Sequence, residues 1–348
     1  MGMGKKKLQK NIIALLTLVA MLITGCSNMP GTKIMETRSL FAMDTIMELQ
    51  AYGNDQVLAE AETMIRDIEK KVSVTDEESE ISVLNRKGQA ELSDVTADLL
   101  SGALEICKET EGALDISIYP VLKAWGFTTG EYQVPSEKEL TDLLQNVDYK
   151  KVSLDKDSAS IEPGMQIDLG SVTKGYTSGK IADYFRQQGV TSALINLGGN
   201  VQCIGAKPNG ENWKVAIKSP YKESKSGVFA VIETKDKAII TSGGYERYFE
   251  ENGETYWHIL DPKTGKPAKN GLISVTVIGE DGLMCDGLST ALVVKGLDEA
   301  TEYWKDHEGF DAVFITEDGN VFVTEGIASS FSLTSEYIDQ KVTVLMRQ

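Results

Sequence analysis

Apolar residues along this chain follow two kinds of spacing. Val57, Leu58, Ala61, Met64, Ile65, Ile68 and Val72 recur every three or four residues, as do Leu99, Leu100, Ala103, Ile106 and Cys107, so each set lines one side of an amphipathic helix. Ser136 with Glu139, just after Pro135, is a capping-box start for a third, short helix. A fourth runs from about Ser171 through Ile181, Ala182 and Phe185 and stops at Gly189. After Thr191 the apolar runs become short and rich in β-formers: Ala193 to Leu197, Trp213 to Ile217, Val228 to Ile232, Ala238 to Thr241, Tyr256 to Leu260 and Ile273 to Ile278. Asp286 then opens a helix that closes near Gly296, another covers Asp298 to His307, and Asp318-Gly319 makes a hairpin turn. Helices and strands mix without strict βαβ alternation, which favours an α+β fold with a mixed sheet over a doubly wound one.

The N-terminus has a different character. Lys5, Lys6, Lys7 and Lys10 precede an apolar run from Ile12 to Ile23, too short for a comfortable membrane span, so residues 1 to 25 read as an export signal. Ile23-Thr24-Gly25-Cys26 resembles a bacterial lipobox, making Cys26 the expected lipid-modified first residue of the mature chain. Residues 26 to 36 then serve as a tether, and the folded domain covers residues 37 to 348. The expected location is the extracytoplasmic face of the bacterial cell membrane, with the lipid as the only membrane contact.

Removing residues 1 to 25 takes away four lysines and no acids, so a net charge of −17 becomes −21. Such a surface will not track a nucleic-acid backbone, and binding a polyanion needs local help from a metal and a few fixed lysines. Cys107, Cys203 and Cys285 show no CxxC spacing, support neither a disulfide framework nor a zinc site, and read as small buried residues.

Two segments hold the candidate chemistry. In CDGLSTAL, Asp286 and Thr290 stand four residues apart, so a helix would project both from one face towards a shared hard cation such as Mg²⁺. Taken alone, the same pair fits an ordinary helix start. In IDLGSVTKGY, Asp168 ends an apolar strand before Gly170-Ser171, and Lys174 falls in the first turn of a helix, where its charge opposes the dipole and points to an anionic neighbour. A solvated surface lysine is the plainer alternative. The chain has two histidines. His258 sits where an apolar run enters the Asp261-Pro262 turn, and His307 lies on an acidic helix as a surface residue. Asn196-Leu-Gly-Gly-Asn200 has neither GxGxxG nor a Walker lysine, which excludes dinucleotide and P-loop readings.

Taken together and in order, FAMDT, SEISVLN, GALDISIYPVLKAWGF, IDLGSVTKGY, INLGGN, TSGGYER, HILDPKTGKP and CDGLSTAL resemble the ApbE family of FAD:protein FMN transferases from about Phe41 to Leu292. The resemblance implies a single ApbE-like domain with a mixed sheet and packed helices, a Mg²⁺ requirement, and FAD as donor. It also implies FMN transfer to a threonine or serine hydroxyl of an exported flavoprotein in a redox chain, with AMP released. By the same resemblance, Met43, Ala113, Leu114, Asp115, Asp168, Lys174 and Leu260 contact the flavin nucleotide. Asp286, Thr290, Ser289 and the Ser171 carbonyl hold the metal, and His258 matches the family's histidine near the reacting phosphate; since an acceptor hydroxyl needs a base within hydrogen-bond reach, His258, aided by Asp261, is the candidate base. One departure is visible: Thr75 stands where relatives often have tyrosine, leaving ring stacking to Trp125 or Tyr245. Two alternatives stay open, an FAD pyrophosphatase that uses water and a flavin-binding lipoprotein without catalysis.

Overall fold

The computed structural model describes residues 34–53 and 55–347. The expected export signal, Cys26 and residues 26–33 of the expected tether lie outside these. Residues Met35–Gln348 form one compact unit.

Nine strands build its central sheet: β1 (Met35–Ala42), β2 (Thr45–Tyr52), β3 (Ala193–Leu197), β4 (Asn200–Ile204), β5 (Ala238–Gly243), β6 (Leu272–Gly279), β7 (Phe310–Thr316), β8 (Val321–Thr324) and β9 (Val342–Leu345). They lie side by side in that order, antiparallel throughout except for the parallel pair β8–β9. The α+β expectation therefore holds. Pairing starts at Met35, two residues before the boundary expected at Thr37.

Seven helices are present among the described residues: α1 (Asp55–Val72), α2 (Glu80–Lys87), α3 (Asp94–Glu109), α4 (Tyr119–Ala124), α5 (Glu137–Leu144), α6 (Thr173–Gln187) and α7 (Gly282–Asp306). None of them is long and apolar enough to cross a membrane. Alternation along the central strands divides the core. Ile240, Val275, Val277, Ala312 and Phe314 pack with Cys285, Leu288 and Leu292 of α7. Ile239, Ile278, Val313 and Ile315 face the other way, onto a small sheet formed by Trp213–Lys218, Val228–Thr234 and Phe331–Leu333. Both faces of the middle strands are thus buried, which is why these strands read as nearly continuous apolar runs.

Two expectations need correction. Asp286 does not open α7: Asp281 caps it, accepting from Met284 N at 3.2 Å, and Asp286 lies inside the helix. The Tyr256–Leu260 run is a strand only over Glu254–Trp257, after which Leu260 forms an isolated bridge to Pro267. The break expected near Gly296 is present as a kink at φ 76° and ψ 170°. Asn270 Nδ2 stabilises it by donating to the freed carbonyls of Val293 (2.8 Å) and Val294 (2.9 Å).

Candidate active site

A cleft of about 810 Å³ opens at the hairpin turns β1–β2 and β3–β4 and at the starts of α6 and the second turn of α7. Met43, Ala113, Leu114, Asp115, Asp168, Ser171, Lys174, His258, Leu260, Asp286 and Thr290 all line it. Segments separated by more than two hundred residues therefore converge on one space, as the motif reading requires.

The crossing of α6 and α7 sets the geometry. A Cβ on Gly175 would overlap the Gly282 carbonyl oxygen and come within 2.6 Å of Asp286 Cβ, and a Cβ on Gly282 would overlap the Gly175 carbonyl oxygen. Backbone contact at this point lets Asp286 Oδ2 accept from Gly175 N at 2.7 Å. The residue preceding α6, Val172, offers no side-chain cap. Asp286 thus caps a helix other than its own, satisfying a first-turn amide and placing negative charge at that helix's positive end. Gly175→Ala is expected to force the helices apart, move Asp286 and Lys174, and lower turnover by about a hundredfold. Steady-state kinetics beside a thermal melt will separate that loss from unfolding.

Asp286 is 4% exposed, and burial raises its pKa, opposed by the Lys174 charge, the Gly175 amide and the nearby Asn200 side chain. No ion pair compensates it directly among the described residues. Around it the oxygens are neutral: Ser242 Oγ lies 3.2 Å from Thr290 Oγ1 and 2.7 Å from Ser289 Oγ. Among the described residues no three His, Cys, Asp or Glu side chains gather as a metal cage. One buried carboxylate beside hydroxyls nevertheless suits Mg²⁺, which takes one or two carboxylates and completes its shell with water and substrate phosphate. The residues present fit that ion.

Ser289 and Asp261 do not line the cleft. Ser289 is fully buried, donates to the Asp286 carbonyl at 2.8 Å and accepts from Ser242 Oγ at 2.7 Å, so its hydroxyl is engaged within the protein. Asp261 caps its own turn, accepting from Lys263 N at 2.9 Å and Thr264 Oγ1 at 3.3 Å, and makes no bond to His258. Trp125 is also excluded as a stacking ring: it is 2% exposed and donates Nε1–H to the Gly265 carbonyl at 2.7 Å. Tyr245 does line the cleft.

His258 faces the cleft with its Nδ1 3.1 Å from the Arg247 carbonyl oxygen. A carbonyl only accepts, so the neutral ring carries its proton on Nδ1 and leaves the Nε2 lone pair free. Dense packing, the Arg247 charge and the Lys174 charge lower its pKa to about 4. The ring is neutral at physiological pH. In ¹H–¹³C spectra the His258 ring signals should titrate near about 4 and not at the ordinary 6.5. Because the folded value lies below the unfolded one, the stability contributed by the neutral ring is complete above pH 6.5 and is lost as pH falls towards about 4.

Three residues missed by sequence reading shape this site. Asn85 grips the backbone of Ile167 on both sides, donating to its carbonyl at 2.8 Å and accepting from its amide at 2.7 Å, and so fixes the adjacent Asp168. Asn200 lines the cleft at 4% exposure with its side-chain amide beside the Asp286 carboxylate, whose pKa it lowers, while its Nδ2 makes no hydrogen bond of good geometry. Arg247 also lines the cleft and lowers the pKa of His258. Asp115 is turned inward: its carboxylate accepts from Ser117 N (2.8 Å), Ser117 Oγ (2.6 Å) and Tyr149 N (3.0 Å), which holds the Ala113–Ile116 corner in place. Asn200 follows a Gly-Gly turn at a strand start, whereas Asn85 lies inside α2 without any such mark, and its partner Ile167 lies far away in sequence.

The family model described as "ApbE family" matches residues 43–314. The chain belongs to the ApbE family. It is 31% identical over 347 residues to the FAD:protein FMN transferase of Haemophilus influenzae, covering 94% of this chain and 99% of that one. An enzyme of the same name from Treponema pallidum is 30% identical over 84% of this chain and 87% of its own length. Among solved structures, the ApbE protein of Thermotoga maritima superposes with a TM-score of 0.79 at 30% identity, covering 85% of this chain and 99% of that one. A histidine-to-glycine mutant of the flavin transferase ApbE from Vibrio cholerae gives 0.76 at 26% identity, with the same coverage.

Proposed function

We propose that this chain transfers FMN from FAD to a threonine or serine hydroxyl of an exported flavoprotein, with Mg²⁺, and releases AMP. The observation that carries the reading is one cleft uniting a buried carboxylate beside hydroxyls, a lysine with no ion pair among the described residues, and a neutral histidine with an open Nε2. Family membership supports FAD as the donor.

Asp286 and Thr290 would hold the cation, which when bound polarises the pyrophosphate oxygens and steadies the departing phosphate. Lys174 and the Asn200 amide would meet phosphate oxygens directly. His258 Nε2 takes the proton from the acceptor hydroxyl, whose oxygen forms a bond to the FMN-side phosphorus. The bond from that phosphorus to the bridging oxygen breaks, and AMP leaves with its electron pair. The two cations that depress His258, Arg247 and Lys174, are those a pyrophosphate would neutralise, so substrate binding should raise its basicity.

Incubating the protein with FAD, Mg²⁺ and the exported flavoproteins of its cell tests this. An acceptor mass gain equal to FMN, with one AMP per adduct, is the expected result. Free FMN and AMP formed without any adduct would assign a pyrophosphatase, and tight FAD binding without AMP would assign a carrier. The same proposal would anchor the chain on the extracytoplasmic face of the cell membrane through Cys26. Labelling by a fatty-acid analogue should be present in the intact chain and absent after Cys26→Ser.

A further inference from the structure

Phe41 and Ile46 are large apolar side chains that the fold leaves 64% and 67% exposed. They are direct partners in the β1–β2 register, so they stand side by side on one face of the hairpin, while Leu40, Ala42 and Met47 point to the opposite, buried face. Ile46 also lines the cleft, which puts this apolar ledge at its mouth.

The hairpin tip is held in an expensive shape. Met43 and Asp44 both adopt left-handed backbone, at φ 48° and 59°, where a two-residue hairpin turn would ordinarily use Asn-Gly. Glu69 of α1 accepts a short hydrogen bond from Met43 N. Thr45 packs so tightly against Gly198 of the β3–β4 turn that a Cβ there would overlap it. Strain of this kind persists where surrounding contacts fix it, and it clusters at functional surfaces. A rigid apolar ledge, rather than a loose loop tip, therefore flanks the entry to the site.

We propose that Phe41 and Ile46 form the docking ledge for the acceptor protein, seating an apolar stretch beside the hydroxyl that enters the cleft. This rests on the transferase reading: a hydroxyl carried by a folded protein can reach His258 only if that protein covers part of the cleft rim, and the ledge is continuous with the cleft lining through Ile46. A strongly acidic chain gains little from anionic headgroups, which disfavours a membrane as the occupant.

The test uses the full chain and an exported flavoprotein that the unaltered enzyme labels with FMN. Phe41→Ser should raise KM for that protein by about tenfold or more, as expected for losing one anchoring ring. kcat at saturating acceptor and KM for FAD should stay unchanged. Phe41→Leu should behave like the unaltered enzyme, and adding Ile46→Thr to Phe41→Ser should raise the acceptor KM further. An unchanged acceptor KM in both serine-containing variants overturns the proposal. So does an equal rise in KM for FAD, which would mark a structural lesion. Loss of vesicle binding or of self-association with acceptor KM intact overturns it in favour of a membrane or a second copy. If the unaltered enzyme labels no acceptor, the transferase reading itself fails and the proposal falls with it.

Discussion

Asp286→Ala should abolish Mg²⁺-dependent turnover, lowering it at least about a thousandfold, because a bound ion contributes several kcal/mol of charge stabilisation in phosphoryl transfer. In the structure Oδ2 caps the start of α6 through Gly175 N at 2.7 Å, and the residue lines the cleft together with Ser242 and Thr290, where the proposed function adds a metal-binding duty. The alanine variant loses both and should also melt at lower temperature, since a lost cap costs about 1 kcal/mol. Asp286→Asn separates them. Its amide oxygen can still accept from Gly175, so the melt should stay close to that of the unaltered protein while turnover falls as in the alanine variant. Activity kinetics over a Mg²⁺ titration, beside thermal melts of both variants, will read the two effects apart. Full activity in the asparagine variant would remove Asp286 from metal binding.

His258→Ala should lower the chemical rate by about 10² to 10⁴-fold, the range for loss of a positioned general base. FAD affinity should be preserved, because the ring's one hydrogen bond goes to the Arg247 backbone carbonyl and its loss leaves the Arg247 and Lys174 charges in the cleft. Single-turnover AMP release measured with flavin-fluorescence binding will check both parts. A loss seen in KM for FAD with kcat intact would make His258 a binding residue. Asp261→Asn should have little effect on the rate, since its carboxylate is engaged with Lys263 N and Thr264 Oγ1 in its own turn.

Much of this fold was legible where periodicity was long. Helices α1, α3 and α6 and the strands β3, β5 and β6 carry apolar patterns several residues deep, and those patterns reflect burial directly. The β1–β2 hairpin escaped notice because its turn is Met43-Asp44, with no glycine or asparagine to mark it, and because Glu69, far along α1, supplies the bond that holds it. Helix α2 buries only Ile81 and Leu84, too few to display a period. In the site, the residue types and their segments were readable, but their detailed roles depend on long-range contact. Asp286 looked like a cap for its own helix and caps α6 instead. Asp261 looked like a partner for His258 and serves its turn. Asn85 and Asn200 carry no local signal for what they do, because Ile167 and the cleft reach them only after folding.

The most direct test is anomalous diffraction from crystals grown with FAD and Mn²⁺ in place of Mg²⁺. One strong manganese peak is expected within coordination distance of Asp286 and Thr290, adjoining the FAD pyrophosphate, with His258 Nε2 facing the FMN-side phosphorus. Ordered FAD with manganese bound elsewhere, or with the Asp286–Thr290 face empty, would contradict it.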